Sequence, residues 1–150
     1  MARGQCPKSQ KNRMRQISLF EGQVPDTEPL IKAAMHRVAK RCGMSREKIV
    51  DRMNEIAALG GYRLNRNART LSVDVFEKWL NPLERDYVPG LNAVQAFVAA
   101  TGDPEPIRVA AGIQGFELVG GDDLKILQAA KLDREIQNLK RQKRRLEQEL

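Results

Sequence analysis

Aromatic side chains are scarce: one Trp, two Tyr and four Phe make up 5% of the 150 residues. Runs of β-branched residues are scarce as well, so little favours a sheet. Ala, Leu, Glu, Lys, Arg and Gln dominate instead, and this composition predicts an all-α fold. Cysteine is nearly absent. Cys6 and Cys42 are the only two, without CxxC spacing, and the single histidine, His36, cannot complete a zinc set with them. They read as reduced thiols of a cytoplasmic protein, with no metal site. The opening stretch MARGQCPKSQKNRMRQ is basic but lacks the apolar segment of ~7–15 residues that a secretory signal needs. No other segment is apolar for long enough to span a membrane. Gly-rich phosphate loops, nucleophile elbows and HExxH are missing too, so no catalytic residue, cofactor or small-molecule substrate is expected. GGDDLK, residues 120 to 125, reads as helix capping rather than as an acidic metal site, and His36 as a surface or boundary residue.

What the chain does have is positive charge. It carries 26 Lys and Arg against 19 Asp and Glu, a formal charge of +7 that favours anionic partners. Residues 1–26 hold five basic and two acidic residues, 27–121 hold thirteen and eleven, and 122–150 hold eight and six, so the excess is spread along the chain.

Residues 1–26 show no apolar periodicity and are expected to form a basic mobile arm. Residues 27–121 then repeat one grammar of cap, apolar stripe and stop. Asp26 or Thr27 caps a first helix with Leu30, Ile31, Ala34, Met35, Val38 and Cys42 inward, ended by Gly43. Its charged side, Lys32, Arg37, Lys40 and Arg41, reads as a solvated face. Ser45 caps a second helix with Ile49, Met53, Ile56 and Ala57 inward, ended by Gly60 and Gly61. After the polar stretch YRLNRNAR, Thr70 or Ser72 caps a third helix with Val73, Phe76, Trp79 and Leu80 in the core, stopped by Asn81 and Pro82. A fourth starts near Pro89 with Leu91, Val94, Phe97 and Val98 inward, and a short fifth follows Pro104 with Ile107, Val109 and Ala110. The prediction is a compact five-helix domain.

From Asp122, read as a helix N-cap, residues 122–150 contain no Gly or Pro. Leu132, Ile136, Leu139, Lys143, Leu146 and Leu150 recur at alternating spacings of four and three. This is a heptad seam with Ile136, Lys143 and Leu150 at a and three leucines at d. The expected structure is a long coiled-coil helix that pairs the chain with a second copy as a parallel homodimer.

A short helix, a turn and a second helix is the geometry that inserts one helix into the DNA major groove. The sequence offers two registers. In one, MHRVAKRCGMSREKIVDRM is the motif, with Ala39 at the close-packing position, Gly43 in the turn and Ile49 inward. In the other, residues 45–59 are the supporting helix and 72–81 the reader. GMSREKIVDRMNEI, LSVDVFEKWLNP and YVPGLNAVQAFVAATGD, followed by a coiled tail, resemble the lambda-repressor-like (Cro/repressor type) helix-turn-helix proteins, in particular the short regulators of Mu-like transposable prophages. The resemblance covers roughly residues 28 to 150 and selects the second register. It implies a dimeric, DNA-binding transcription regulator in the cytoplasm of a bacterial host, at the nucleoid. Ser45, Arg46 and Glu47 then open the supporting helix, Ser72 to Lys78 form the exposed part of the reader, and Trp79 and Leu80 anchor it.

Asp74 and Glu77 depart from that pattern, since carboxylates beside phosphates repel, although a carboxylate can accept a hydrogen bond from cytosine N4. Arg63, Arg66 and Arg69 stand within seven residues, without an intervening acid, just before a helix N-terminus. They can hold phosphates as planar forks or lie in a solvated loop. Asn65 and Asn67 reach base edges or satisfy the turn backbone. The candidate DNA-contacting set is therefore Arg63, Asn65, Arg66, Asn67, Arg69, Ser72, Asp74, Glu77 and Lys78. The competing expectation is a non-enzymatic protein-interaction or assembly factor using the helical core and the coiled coil.

Overall fold

The computed structural model of the chain describes residues 23–150, so most of the arm expected over 1–26 lies outside the described residues. Every regular element among the described residues is an α-helix. None is long and apolar enough to cross a membrane. The chain divides into two compact units, one ending at Glu117 and one running from Leu118 to Leu150.

In the first unit, α1 spans Thr27–Arg41 and begins where the Asp26 carboxylate accepts the Glu28 N–H at 3.2 Å. Its C-cap is Cys42, and a turn through Gly43 at φ 73° leads to Ser45. The Ser45 hydroxyl accepts the Lys48 N–H at 3.2 Å and starts α2, Arg46–Gly60. The next two helices are α3, Val73–Leu80, and α4, Leu91–Thr101; the last of this unit is α5, Glu105–Ile113. α1 packs chiefly on α5 and α2 on α4, while the short α3 lies against both α1 and α2. Between them sits one core that includes Met35, Val38, Ile49, Met53, Phe76, Trp79, Leu80 and Phe97.

Two expected core residues face outward. Leu91 is 77% exposed and Leu30 is exposed as well. Leu91 is the first residue of α4, directly after the N-cap Gly90, and precedes the turn that contacts the core. The buried face of α4 is instead Ala93, Val94, Ala96, Phe97 and Ala100, where small side chains let α2 approach.

The expected solvated basic face of α1 is corrected at Lys32, which is only 2% exposed. Its ammonium donates to the backbone carbonyl of Glu84 and, at 2.7 Å, to that of Tyr87. Burial lowers its pKa below the usual lysine range, while Glu84 and Glu28 act in the opposite sense. Lys32 thus caps the segment between α3 and α4 from beneath. The Arg85–Asp26 ion pair, at 2.6 Å, ties the same segment to the start of α1. Lys32→Met should orphan two carbonyls and cost ~1–3 kcal/mol. The change would be read as a lower urea midpoint at constant slope; an unmoved midpoint would mean that these two bonds contribute nothing net.

In the second unit, α6 spans Gly121–Gln148 and its N-cap is Gly120, not the expected Asp122. Asp122 lies in the first helical turn and pairs with Lys125 at 3.4 Å, where an acid favours the helix dipole. No residue of α6 is buried, and Leu132, Ile136, Leu139, Lys143 and Leu146 lie exposed along it, with Leu150 just beyond its end.

Candidate nucleic-acid interface

The link from α2 to α3 is anchored at both ends, which fixes what it presents. α2 stops because Gly61 adopts a left-handed conformation, φ 70°, and the Tyr62 N–H returns to the Ala57 carbonyl at 3.1 Å. Leu64 and Leu71 then enter the core. Asn54, on α2, clamps Leu71 by the backbone: its amide donates to the Leu71 carbonyl and its oxygen accepts the Leu71 N–H, both at 2.9 Å. The intervening residues Arg66 to Thr70 are left exposed.

Arg63, Asn65, Arg66 and Asn67 line an open cleft of about 960 Å³. Val75 and Trp79 of α3 line it too, together with residues Asp86 to Ala93, which lead into α4. Arg69 lines a second hollow of about 430 Å³ with Asn54, Ala57 and Tyr62, which Arg63 also lines. The three arginines are therefore spread across the turn. No ion pair or hydrogen bond holds any of them among the described residues.

The other candidates, apart from the exposed Asn67 side chain, are engaged within the protein. The Asn65 oxygen accepts the Asn67 N–H at 3.1 Å, the turn-satisfying role. The Ser72 hydroxyl caps α3 by accepting the Val75 N–H at 3.3 Å. Glu77 pairs with Arg46 at 2.9 Å, joining the starts of α2 and the middle of α3. Asp74 pairs with Lys78 one turn along, at 3.1 Å, and the same ammonium lies 4.4 Å from the centre of the Tyr87 ring. The hydrogen bond to Asp74, against the opposing effect of burial, holds Lys78 above the usual lysine range. Both carboxylates of α3 thus carry a cation already.

The basic side of α1 is largely spoken for. Arg37 binds Glu105 at 2.7 Å, and Arg41 binds Asp103 at 2.7 Å as well as Glu105. Burial raises the Asp103 and Glu105 carboxyls, but the arginine hydrogen bonds outweigh it and leave both below the usual carboxylate range. Of the four basic residues expected on that face, only Lys40 remains exposed without a partner among the described residues.

Two positioning residues escaped the sequence reading. Asn54 falls at the edge of the Val50, Met53, Ala57 stripe, and a polar residue at that boundary is the signal that could have marked it. Lys32 carried no such signal. Comparison with protein-family models, with curated proteins and with solved structures gives no match.

Proposed function

We propose that the chain is a phage-type DNA-binding transcriptional regulator that acts as a dimer in a bacterial host. The first unit serves as a helix-turn-helix domain in which α2 supports and α3, with the turn before it, lies against duplex DNA. The observation that carries the reading is the contrast at this surface: Arg63, Arg66 and Arg69 are exposed and unpaired among the described residues, whereas Asp74 and Glu77 are each matched by a cation. A surface with its acids neutralised and its guanidinium forks free suits phosphate oxygens. Two features support α3 over α2 as the reader. The exposed side of α2 bears three acids, Glu47, Asp51 and Glu55, against Lys48 and Arg52, and Arg52 is turned back onto the Ala100 carbonyl at 3.2 Å. The Asn54 clamp also holds the arginine turn in one place relative to α3.

Dimerisation through the exposed α6 seam would combine two modest half-site affinities into one useful one. The test is the Arg63→Ala, Arg66→Ala, Arg69→Ala protein. It should keep its fold and mass yet lose affinity for all duplexes, random and specific alike, because phosphate contacts carry no base information. Unchanged DNA affinity in that folded protein would remove this reading of the turn, and a native protein that binds no duplex would favour the protein-docking alternative.

A further inference from the structure

From residue 129 onward the charges of α6 are sorted by face. Taking the leucine seam as a and d, every acid from residue 129 onward falls at e or g: Asp133, Glu135, Glu147 and Glu149. Every arginine of the helix falls at b, c or f: Arg134, Arg141, Arg144 and Arg145. A solvated outer face ordinarily mixes both signs, because alternating pairs at i and i+4 stabilise the helix. Here that face holds no acid within the helix from residue 129 on. The ion pairs of α6 are Asp122–Lys125 and Lys143–Glu147, at 3.4 and 3.6 Å, and neither includes an arginine. All four guanidinium groups are exposed and without partners among the described residues. The helix is continuous across them, so they form one rigid stripe.

We infer that the outer face of α6 is a second DNA-binding surface, a sequence-independent track for the phosphate backbone of duplex DNA carried by Arg134, Arg141, Arg144 and Arg145. At ~1.5 Å per residue the stripe is roughly 16 Å long, enough to face several phosphates of one strand. Other polyanions fit less well. A membrane-surface helix needs a broad apolar face with bulky anchors, whereas α6 contains no aromatic residue and its seam is interrupted by Lys143. The missing aromatics also leave no platform on which unpaired bases would stack. The face lies away from the leucine seam and so stays free when the seam is covered. This surface does not depend on the arginine turn of the first unit.

The experiment is a salt titration of the full chain on a random-sequence duplex, comparing the native protein with a variant in which the four arginines become glutamine. Glutamine keeps helix propensity and leaves the seam untouched. The log–log salt slope should fall by roughly two to four per helix in contact, since each phosphate contact contributes ~0.9. Helix content and sedimenting mass should stay as they were. A second variant, the same four arginines to lysine, should recover most of the slope. An unaltered slope in the glutamine protein overturns the inference, as does a loss that lysine fails to rescue. Binding to phosphatidylserine vesicles that the glutamine changes abolish, with DNA binding intact, overturns it too. If the turn variant binds DNA like the native protein while the glutamine variant does not, the reading of the turn falls and that of α6 stands.

Discussion

Phe76→Ala and Trp79→Ala should each lower the unfolding free energy of the first unit by ~3–5 kcal/mol, a large share of the margin by which a small domain is stable. α3 has only eight residues and cannot persist as an isolated helix. It is held by what it buries: Phe76 is fully enclosed with its ring centre 6.0 Å from that of Phe97 on α4, and Trp79 is 4% exposed. Truncating either leaves a hole that α1, α2 and α4 cannot close without moving. The same side chains fix the helix beside which the arginine turn is folded, so both variants should also weaken DNA binding. Urea unfolding followed by circular dichroism gives the magnitude. Trp79 is the only tryptophan, so its emission in the folded protein reports the site directly. A red-shifted, readily quenched spectrum would contradict the packing.

Ile136→Lys combined with Leu139→Lys should convert the protein from dimer to monomer at micromolar concentration. Burying each such side chain contributes ~1.5–3 kcal/mol, and the pair occurs once on each helix. Losing four of them per dimer removes roughly 6–12 kcal/mol of burial, leaving too little apolar surface to offset the cost of association. Two strands are favoured by Ile136 at a with leucines at d, and Lys143 at a opposes larger bundles. Orientation follows from charge. Side by side in parallel, Glu135 at g faces Lys140 at e of the second helix. Run antiparallel with the seam in register, Lys140 would face its own copy, Asp133 would face Glu147, and Glu135 would face Glu149, so all three contacts repel. Sedimentation equilibrium distinguishes the outcomes. A native protein that already sediments as a single chain, or a double variant that keeps the dimer mass, would contradict the assignment of the seam.

Much of the fold could be read from local chemistry. Asp26, Ser45 and Ser72 cap their helices because a short side-chain oxygen reaches the orphan N–H groups of a first turn, and Gly61 and Gly102 stop theirs by adopting positive φ. Phe76, Trp79 and Phe97 are inside because each falls on the apolar stripe of its helix, beside Met35, Ile49, Met53 and Leu80. What failed was long-range. Lys32 looks like one more cation of a solvated face, and only the arrival of the Glu84 and Tyr87 carbonyls, more than fifty residues away, makes its burial possible. Leu91 has core composition but sits one turn too early in α4 to reach the core. At the candidate site the sequence marked the free arginines and the two acids. It did not reveal that Arg46 and Lys78 already neutralise those acids, or that Asn54 holds the turn, since each depends on how α2 and α3 meet.

If the arginine turn neutralises DNA phosphates, as we propose, the salt dependence of duplex binding by the full chain registers it. Three contacts per protomer at ~0.9 each predict a log–log slope from the turns alone near −5 for a dimer, reduced by about that amount when Arg63, Arg66 and Arg69 are replaced together with alanine. A slope that is equally steep in the native and the triply substituted protein, both folded and dimeric, would mean that the turn holds no phosphates.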